Sequence, residues 1–144
     1  MPIADVMTTR LVQAEPDETV REAIRRMSDA GVGSIAVCEG SRLVGILTER
    51  DVLSLAARGV DFDGLRVREA MTDRVFTISP DADIVATARL MGERHVRHLP
   101  VVEGENLLGI VGIRDVLGAL AEVLWRTQDD AVHETARSLL SHRS

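Results

Sequence analysis

A shift of 64 positions lays this chain over itself. Met7-Thr8 falls on Met71-Thr72, Pro16-Asp17 on Pro80-Asp81, Met27 on Met91 and Glu39-Gly40 on Glu103-Gly104. Arg50-Asp51-Val52-Leu53 falls on Arg114-Asp115-Val116-Leu117, and the register holds without a gap from Met7 to Leu53. Self-similarity of this kind means one structural unit written twice. A chain of 144 residues is one domain, or two very small ones that must share a core.

Each copy carries the same succession of signals. A short apolar run, "LVQA" or "VFTI", ends in Pro-Asp, which reads as a strand and a turn. A helix follows. In the first copy its apolar stripe is Val20, Ala23, Ile24 and Met27, with Thr19 and Glu22 placed as a capping box. In the second copy the stripe is Ile84, Ala88 and Met91, with Asp83 at the N-cap. Two strands around a tight turn come next, "SIAVC-EGS-RLVGIL" and "HLPVV-EGE-NLLGIV", Pro100 marking an edge position or a strand start. A second helix carries Val52, Leu53 and Ala56, or Val116, Leu117, Leu120 and Ala121.

The expected fold is therefore α/β (α+β): two β-α-β-β-α units packed sheet against sheet with pseudo-two-fold symmetry. Residues 1–60 form repeat 1, residues 61–125 repeat 2, and residues 126–144 a C-terminal helical tail with Val132, Ala136 and Leu139-Leu140 on one side. The polar stretch "RGVDFDGLR" from Arg58 to Arg66 joins the copies. A cleft between repeats is a favoured ligand position.

Composition narrows the function. The net charge of −6 and the near absence of aromatics, only Phe62, Phe76 and Trp125, argue against a nucleic-acid polymer as partner. All seventeen cations are Arg, which excludes a P-loop and any lysine nucleophile. Cys38 is the single cysteine, so no intrachain disulfide forms, in keeping with a reducing cytoplasm. "MPIADVMTTR" has an acid where a signal peptide has basic residues, and "VLGALAEVLW" is too short and is broken by Glu122, so no membrane span is expected. No Ser-His-Asp arrangement, metal-ligand cluster or Gly-rich phosphate loop is present, so the chain is not expected to be an enzyme.

The repeated motif "GILTERD" (Gly45–Asp51), which returns as "GIVGIRD" (Gly109–Asp115), has two readings. In one, Thr48 is an N-cap, Asp51 completes a near capping box and suits the helix dipole, and Gly112 is an acceptable cap in the second copy. In the other, the same helix start holds a sugar phosphate: free N–H groups and the Thr hydroxyl face an anion, the Asp accepts from sugar hydroxyls, and the adjacent Arg donates a bidentate pair.

The duplicated unit, with "MTTRLVQAEPDETV", "GVGSIAVCEGSRLVGILTERDV" and their counterparts "MTDRVFTISPDADIV" and "HVRHLPVVEGENLLGIVGIRDV", resembles a tandem pair of CBS domains, also called a Bateman module. The resemblance runs from about Ile3 to Leu124. It implies binding of an adenosine-containing ligand in the cleft (AMP, ADP or ATP foremost, NAD(H) or S-adenosylmethionine besides) and a homodimer of two modules. No required cofactor is expected, and no metal, because His95 and His98 have no Cys or acid at ligand spacing beside them. Residue by residue, the resemblance assigns ribose to Asp51 and Asp115 and phosphate to Thr48, whose counterpart Gly112 has lost the hydroxyl. Arg50 and Arg114 stand beside them as cations. The first strands, Gln13-Ala14-Glu15 and Thr77-Ile78-Ser79, would supply backbone groups that read adenine, Thr77, Ile78 and Ser79 serving the Asp51 pocket. The starts of the second strands, Gly33-Ser34 and Arg97-His98, would face phosphate. The Asp51 pocket is expected to be the tighter sugar site.

The resulting expectation is a cytoplasmic, stand-alone regulatory module that signals through a ligand-dependent change in a homodimer to an unknown regulated protein. The alternative is a structural or protein-interaction module with vestigial pockets. Outside the motif, Arg94 and His95 read as a solvated helix end and Cys38 as core. His133 and His142 read as surface, and Trp125 as a core or dimer anchor.

Overall fold

The computed structural model describes residues 1–126 and 137–138. The first copy comprises β1 (Gln13–Ala14), α1 (Val20–Ala30), β2 (Ser34–Glu39), β3 (Arg42–Thr48) and α2 (Glu49–Ala57). A short α3 (Val67–Ala70) follows, then α4 (Ile84–Arg94), β4 (His98–Glu103), β5 (Asn106–Gly112) and α5 (Ile113–Arg126). A 3-10 turn, Ile3–Asp5, opens the chain. The expected tail, with His133 and His142, lies outside the described residues apart from Arg126, which ends α5, and Arg137 and Ser138.

Local chemistry fixes the helix starts. Thr19 caps α1, its side chain accepting from the Glu22 N–H while the Glu22 carboxylate accepts from the Thr19 N–H. Asp83 caps α4, accepting from the N–H groups of Val85 and Ala86. Thr48 and Asp51 form a complete capping box on α2. Gly31 ends α1 in the left-handed conformation that favours glycine, whereas α4 ends on His95 at φ 55.

The strands lie in the order β1-β2-β3-β5-β4. The hairpins β2–β3 and β4–β5 are antiparallel, and each has a register shift at the same place, Val37/Cys38 and Val101/Val102. They join at one pair, Arg42↔Asn106. One face of each hairpin meets its own helices. Val20, Ala23, Met27, Ile35, Val37 and Leu47 form the first core; Ile84, Met91, Leu99, Val101, Val111 and Val116 form the second. The opposite faces meet between the copies, where Ala36, Cys38 and Leu107 pack with Leu11, Leu43, Val102 and Ile110. The expected sheet-to-sheet contact is therefore present, with the addition that the two sheets run into one.

Two details differ from the sequence reading. The expected first strands shrink to Gln13–Ala14 in copy one and to a single parallel bridge, Ile78↔Val101, in copy two. Pro100 has no N–H with which to extend that ladder, and β4 is accordingly an edge strand. On the second helices Leu55 is buried in α2 and Val116 and Ala119 in α5, while Leu53 is 71% and Leu117 56% exposed. Ala56 and Ala121 are also exposed. Those helices carry two apolar faces, and periodicity does not say which one meets the core.

The segments that precede the copies are crossed. Residues 1–8 pack on copy two: Ile3 N–H donates to Ala82 O at 2.9 Å and Thr8 N–H to Ile110 O at 2.8 Å. Residues 65–72 pack on copy one, with Val67 N–H on Glu18 O at 2.8 Å and Thr72 N–H on Ile46 O at 2.9 Å. Ile3 and Val67 are fully buried, one in each core. Each small unit thus completes its core with a segment the repeat register assigns to the other.

Candidate functional site

β3 and β5 deliver the two copies of the motif to the starts of α2 and α5. Each helix start is tied to the second strand of its own copy: Glu49 N–H donates to Gly33 O at 2.9 Å, and Ile113 N–H to Arg97 O at 2.8 Å. Between them stands His98. A Cβ added to Gly33 would lie 3.3 Å from His98 Cε1, and one added to Gly112 would lie 3.8 Å from His98 Cδ2. The half-buried imidazole therefore touches the strand start of copy one and the helix start of copy two, which places both motifs along one seam.

The first motif is the more constrained. Asp51 Oδ2 accepts from Thr48 N–H at 2.9 Å and from Thr48 Oγ1 at 3.0 Å, while Thr48 Oγ1 accepts from Asp51 N–H at 3.3 Å. Among the described residues no group donates to Asp51 Oδ1. At the second motif Gly112 offers no hydroxyl, and the Asp115 carboxylate makes no hydrogen bond among the described residues. Arg114 is exposed. Arg50 crosses the seam, its Nη1 lying 3.5 Å from His95 O at the end of α4.

Burial pushes the His98 imidazole below its ordinary value, Glu49 and Asp115 pull the other way, and Arg97 adds to the depression. His98 is a neutral ring near pH 7, a donor and an acceptor rather than a fixed cation. Burial alone pushes the Cys38 thiol up, as suits a core residue.

Arg97, Gly112 and Asp115 lie around His98, Arg50 reaches across the seam, Thr48 and Asp51 stand at the start of α2, and Arg114 is exposed beside Asp115. Thr77, Ile78 and Ser79 sit against the outer side of β4, with Ile78 N–H on Pro100 O at 3.1 Å and Val102 N–H on Ile78 O at 2.9 Å. Ser79 Oγ accepts from Asp81 N–H at 3.2 Å, and among the described residues none of the three is hydrogen-bonded to either helix start. Trp125 is 58% exposed, which removes the core alternative from its reading as a core or dimer anchor. Arg94 lies 5.0 Å from the Phe76 ring centroid, so it is a cation over an aromatic face rather than only a solvated helix end. The sequence reading left Glu49 out of the site. Its signal was the unlike pair Glu49 and Ile113 in otherwise matching motifs.

Among the described residues no group of His, Cys, Asp and Glu is arranged to hold a metal ion, and no helix is long and apolar enough to cross a membrane.

The CBS domain family model matches residues 3–58 and 67–122. The CBS domain-containing protein YhcV of Bacillus subtilis is 35% identical over 115 residues, 79% of this chain and 81% of that protein. A 33.4 kDa protein of Thermofilum pendens, described as uncharacterized and encoded in a ribosomal RNA operon, is 39% identical over 130 residues. That match spans 86% of this chain but only 43% of the relative's length. Among solved structures, a CBS-domain containing protein from Agrobacterium tumefaciens superposes with a TM-score of 0.76 at 27% identity, covering 83% of this chain and 98% of that one. A hexameric CBS-CP12 protein from bloom-forming cyanobacteria superposes with a TM-score of 0.78 at 27% identity, covering 98% and 88%. The fold and the paired motifs define a tandem CBS module. The chain belongs to the CBS domain family, with one domain in each copy of the repeat.

Proposed function

We propose that this chain is a regulatory module that binds an adenosine-containing ligand, AMP, ADP or ATP foremost, in the seam between its two CBS domains. The observation that supports the reading is the position of His98 between Gly33 and Gly112, which brings the starts of α2 and α5 to one seam, with Arg50 reaching across it to His95 O. Asp51 and Asp115 suit a pair of ribose hydroxyls, and Arg50, Arg97 and Arg114 suit phosphate. The backbone of Thr77–Ser79 is assigned to adenine. The module acts by binding, without catalysis, in the cytoplasm.

Exposed Leu53 and Leu117 occupy equivalent positions on α2 and α5, and they supply a symmetric apolar face for a homodimer. Ligand binding shifts the equilibrium between cleft or dimer geometries, and a regulated partner reads the shift.

Thermal melts with AMP, ADP, ATP, NAD(H) and S-adenosylmethionine test the reading. A ligand at a hundred times its Kd stabilises the folded state by about 2.7 kcal/mol and raises the melting temperature by several degrees. A flat response to the whole panel would favour an interaction module with vestigial pockets.

A further inference from the structure

The two helix starts are alike in backbone and opposite in charge. Around α2 stand Gly33, Glu49, Arg50 and Asp51; at the matching positions around α5 stand Arg97, Ile113, Arg114 and Asp115. The first set has one more acid than base, and the second has one more base than acid.

Side-chain placement widens the difference. The Glu49 carboxylate lies over Gly33, so close that a Cβ on Gly33 would be 2.1 Å from Glu49 Oε1. In the other copy a guanidinium-bearing residue, Arg97, stands where Gly33 stands. Arg50, the cation of the first set, reaches towards copy two and ends 3.5 Å from His95 O. The α2 side is left with two carboxylates and a cation that leans away. The α5 side has one carboxylate and two arginines of its own.

We propose that Glu49 sorts ligands by charge, so that a phosphorylated adenosine binds only in the Asp115 half of the cleft and the Thr48–Asp51 half accepts an adenosine group that carries no phosphate there. This rests on the adenosine-ligand reading and gives the two halves different ligand classes. A phosphate monoester carries between one and two negative charges at neutral pH. Placed beside Glu49 and Asp51, it meets like charges at short range. The penalty weakens AMP in that half by at least about tenfold relative to adenosine. Ribose binding is untouched, because Asp51 is held in place by Thr48 and keeps Oδ1 for a hydroxyl.

Titration calorimetry of the full chain with AMP and with adenosine tests this. The native chain is expected to bind one AMP but two adenosines. Glu49→Gln is expected to bind two AMP, and adding Asp51→Ala should return it to one. Glu49 is exposed, so the substitution is compatible with the fold, and Glu49→Ile, the residue type of the other copy, provides a second variant. Two AMP of similar affinity in the native chain, or one AMP in both Glu49 variants, would overturn the sorting while leaving the adenosine reading intact. No binding of AMP or adenosine to any variant would overturn both.

Discussion

Asp51 Oδ2 takes both donors of Thr48, the N–H at 2.9 Å and the hydroxyl at 3.0 Å. The same pair of positions in the second copy, Gly112 and Asp115, has neither bond among the described residues. One helix start is therefore locked and its twin is open, although they follow equivalent strands, β3 and β5, and face the same seam.

That difference is measurable in stability. Thr48→Ala removes the cap of α2 and is expected to cost about 1 kcal/mol. Gly112→Thr should do the reverse: an added Cβ meets nothing closer than Asp115 Oδ2 at 3.8 Å. A gain of about 0.5 kcal/mol is expected from the new cap. Urea denaturation checks both, and a destabilised Gly112→Thr would show that the second helix start is closed to a capping box.

The first residue of each motif answers to packing. A Cβ on Gly109 would lie 2.8 Å from Thr8 O, and one on Gly45 would lie 2.5 Å from Met71 Sδ and 3.0 Å from Thr72 O. Both glycines let the crossed segments approach the hairpins. Gly109→Ala presses on backbone and is expected to cost about 2 to 3 kcal/mol. Gly45→Ala should cost less, because the thioether end of Met71 can turn aside. Amide exchange supplies a second readout: Thr8 N–H, bonded to Ile110 O at 2.8 Å, should lose protection in Gly109→Ala.

These glycines also show where the sequence stops being informative. The repeat, the caps at Thr19, Thr48 and Asp83 and the hairpins were legible, because each is written in neighbouring residues. The crossing of residues 1–8 onto copy two was not, since a repeat register carries no record of which copy a leading segment joins. Equally hidden was the placement of His98 between Gly33 and Gly112, a contact made only when the two copies pack. The exposure of Leu53 was not legible either, because Val52, Leu53, Leu55 and Ala56 offer two apolar faces to one helix. Glu49 was visible as a difference between the copies, but its direction over Gly33 is a property of the folded cleft.

Acid should destabilise the fold through two groups of the same sign. The Arg26 guanidinium beside Glu18 holds that carboxyl below its ordinary value, and the same Arg26 donates to Gln13 O at 2.8 Å, which ties down β1. Because the folded value is depressed, the stability that Glu18 contributes is present above its ordinary pKa and is lost as pH falls through the folded one. His98 is depressed as well, chiefly by burial. Below its ordinary value of about 6.5 the unfolded chain takes up a proton that the folded chain refuses, so stability begins to fall there. His98→Gln is expected to flatten the stability profile between its ordinary value and its lower folded value, and Glu18→Gln to flatten the more acidic limb. Chemical denaturation at stepped pH separates the two. An unchanged slope just below pH 6.5 in His98→Gln would show that the imidazole titrates normally in the folded protein.

The proposed homodimer makes a sharper demand on Leu53 and Leu117. They are equivalent positions, 71% and 56% exposed, each one helical turn or less from a residue buried in its own core, Leu55 or Val116. An apolar face repeated by pseudo-symmetry suits an isologous contact, in which each copy meets its counterpart on a second chain. Replacing both with Glu puts four carboxylates into that contact and removes its apolar area, while leaving each core intact. Sedimentation equilibrium should then report a monomer whose urea midpoint, extrapolated to low protein concentration, matches that of the dissociated native chain. Leu55→Ala is the control with the opposite signature. Leu55 is buried, so it should lose about 2 to 5 kcal/mol of fold stability without placing charge at the contact. A double Glu variant that still sediments as a dimer would move the interface off α2 and α5.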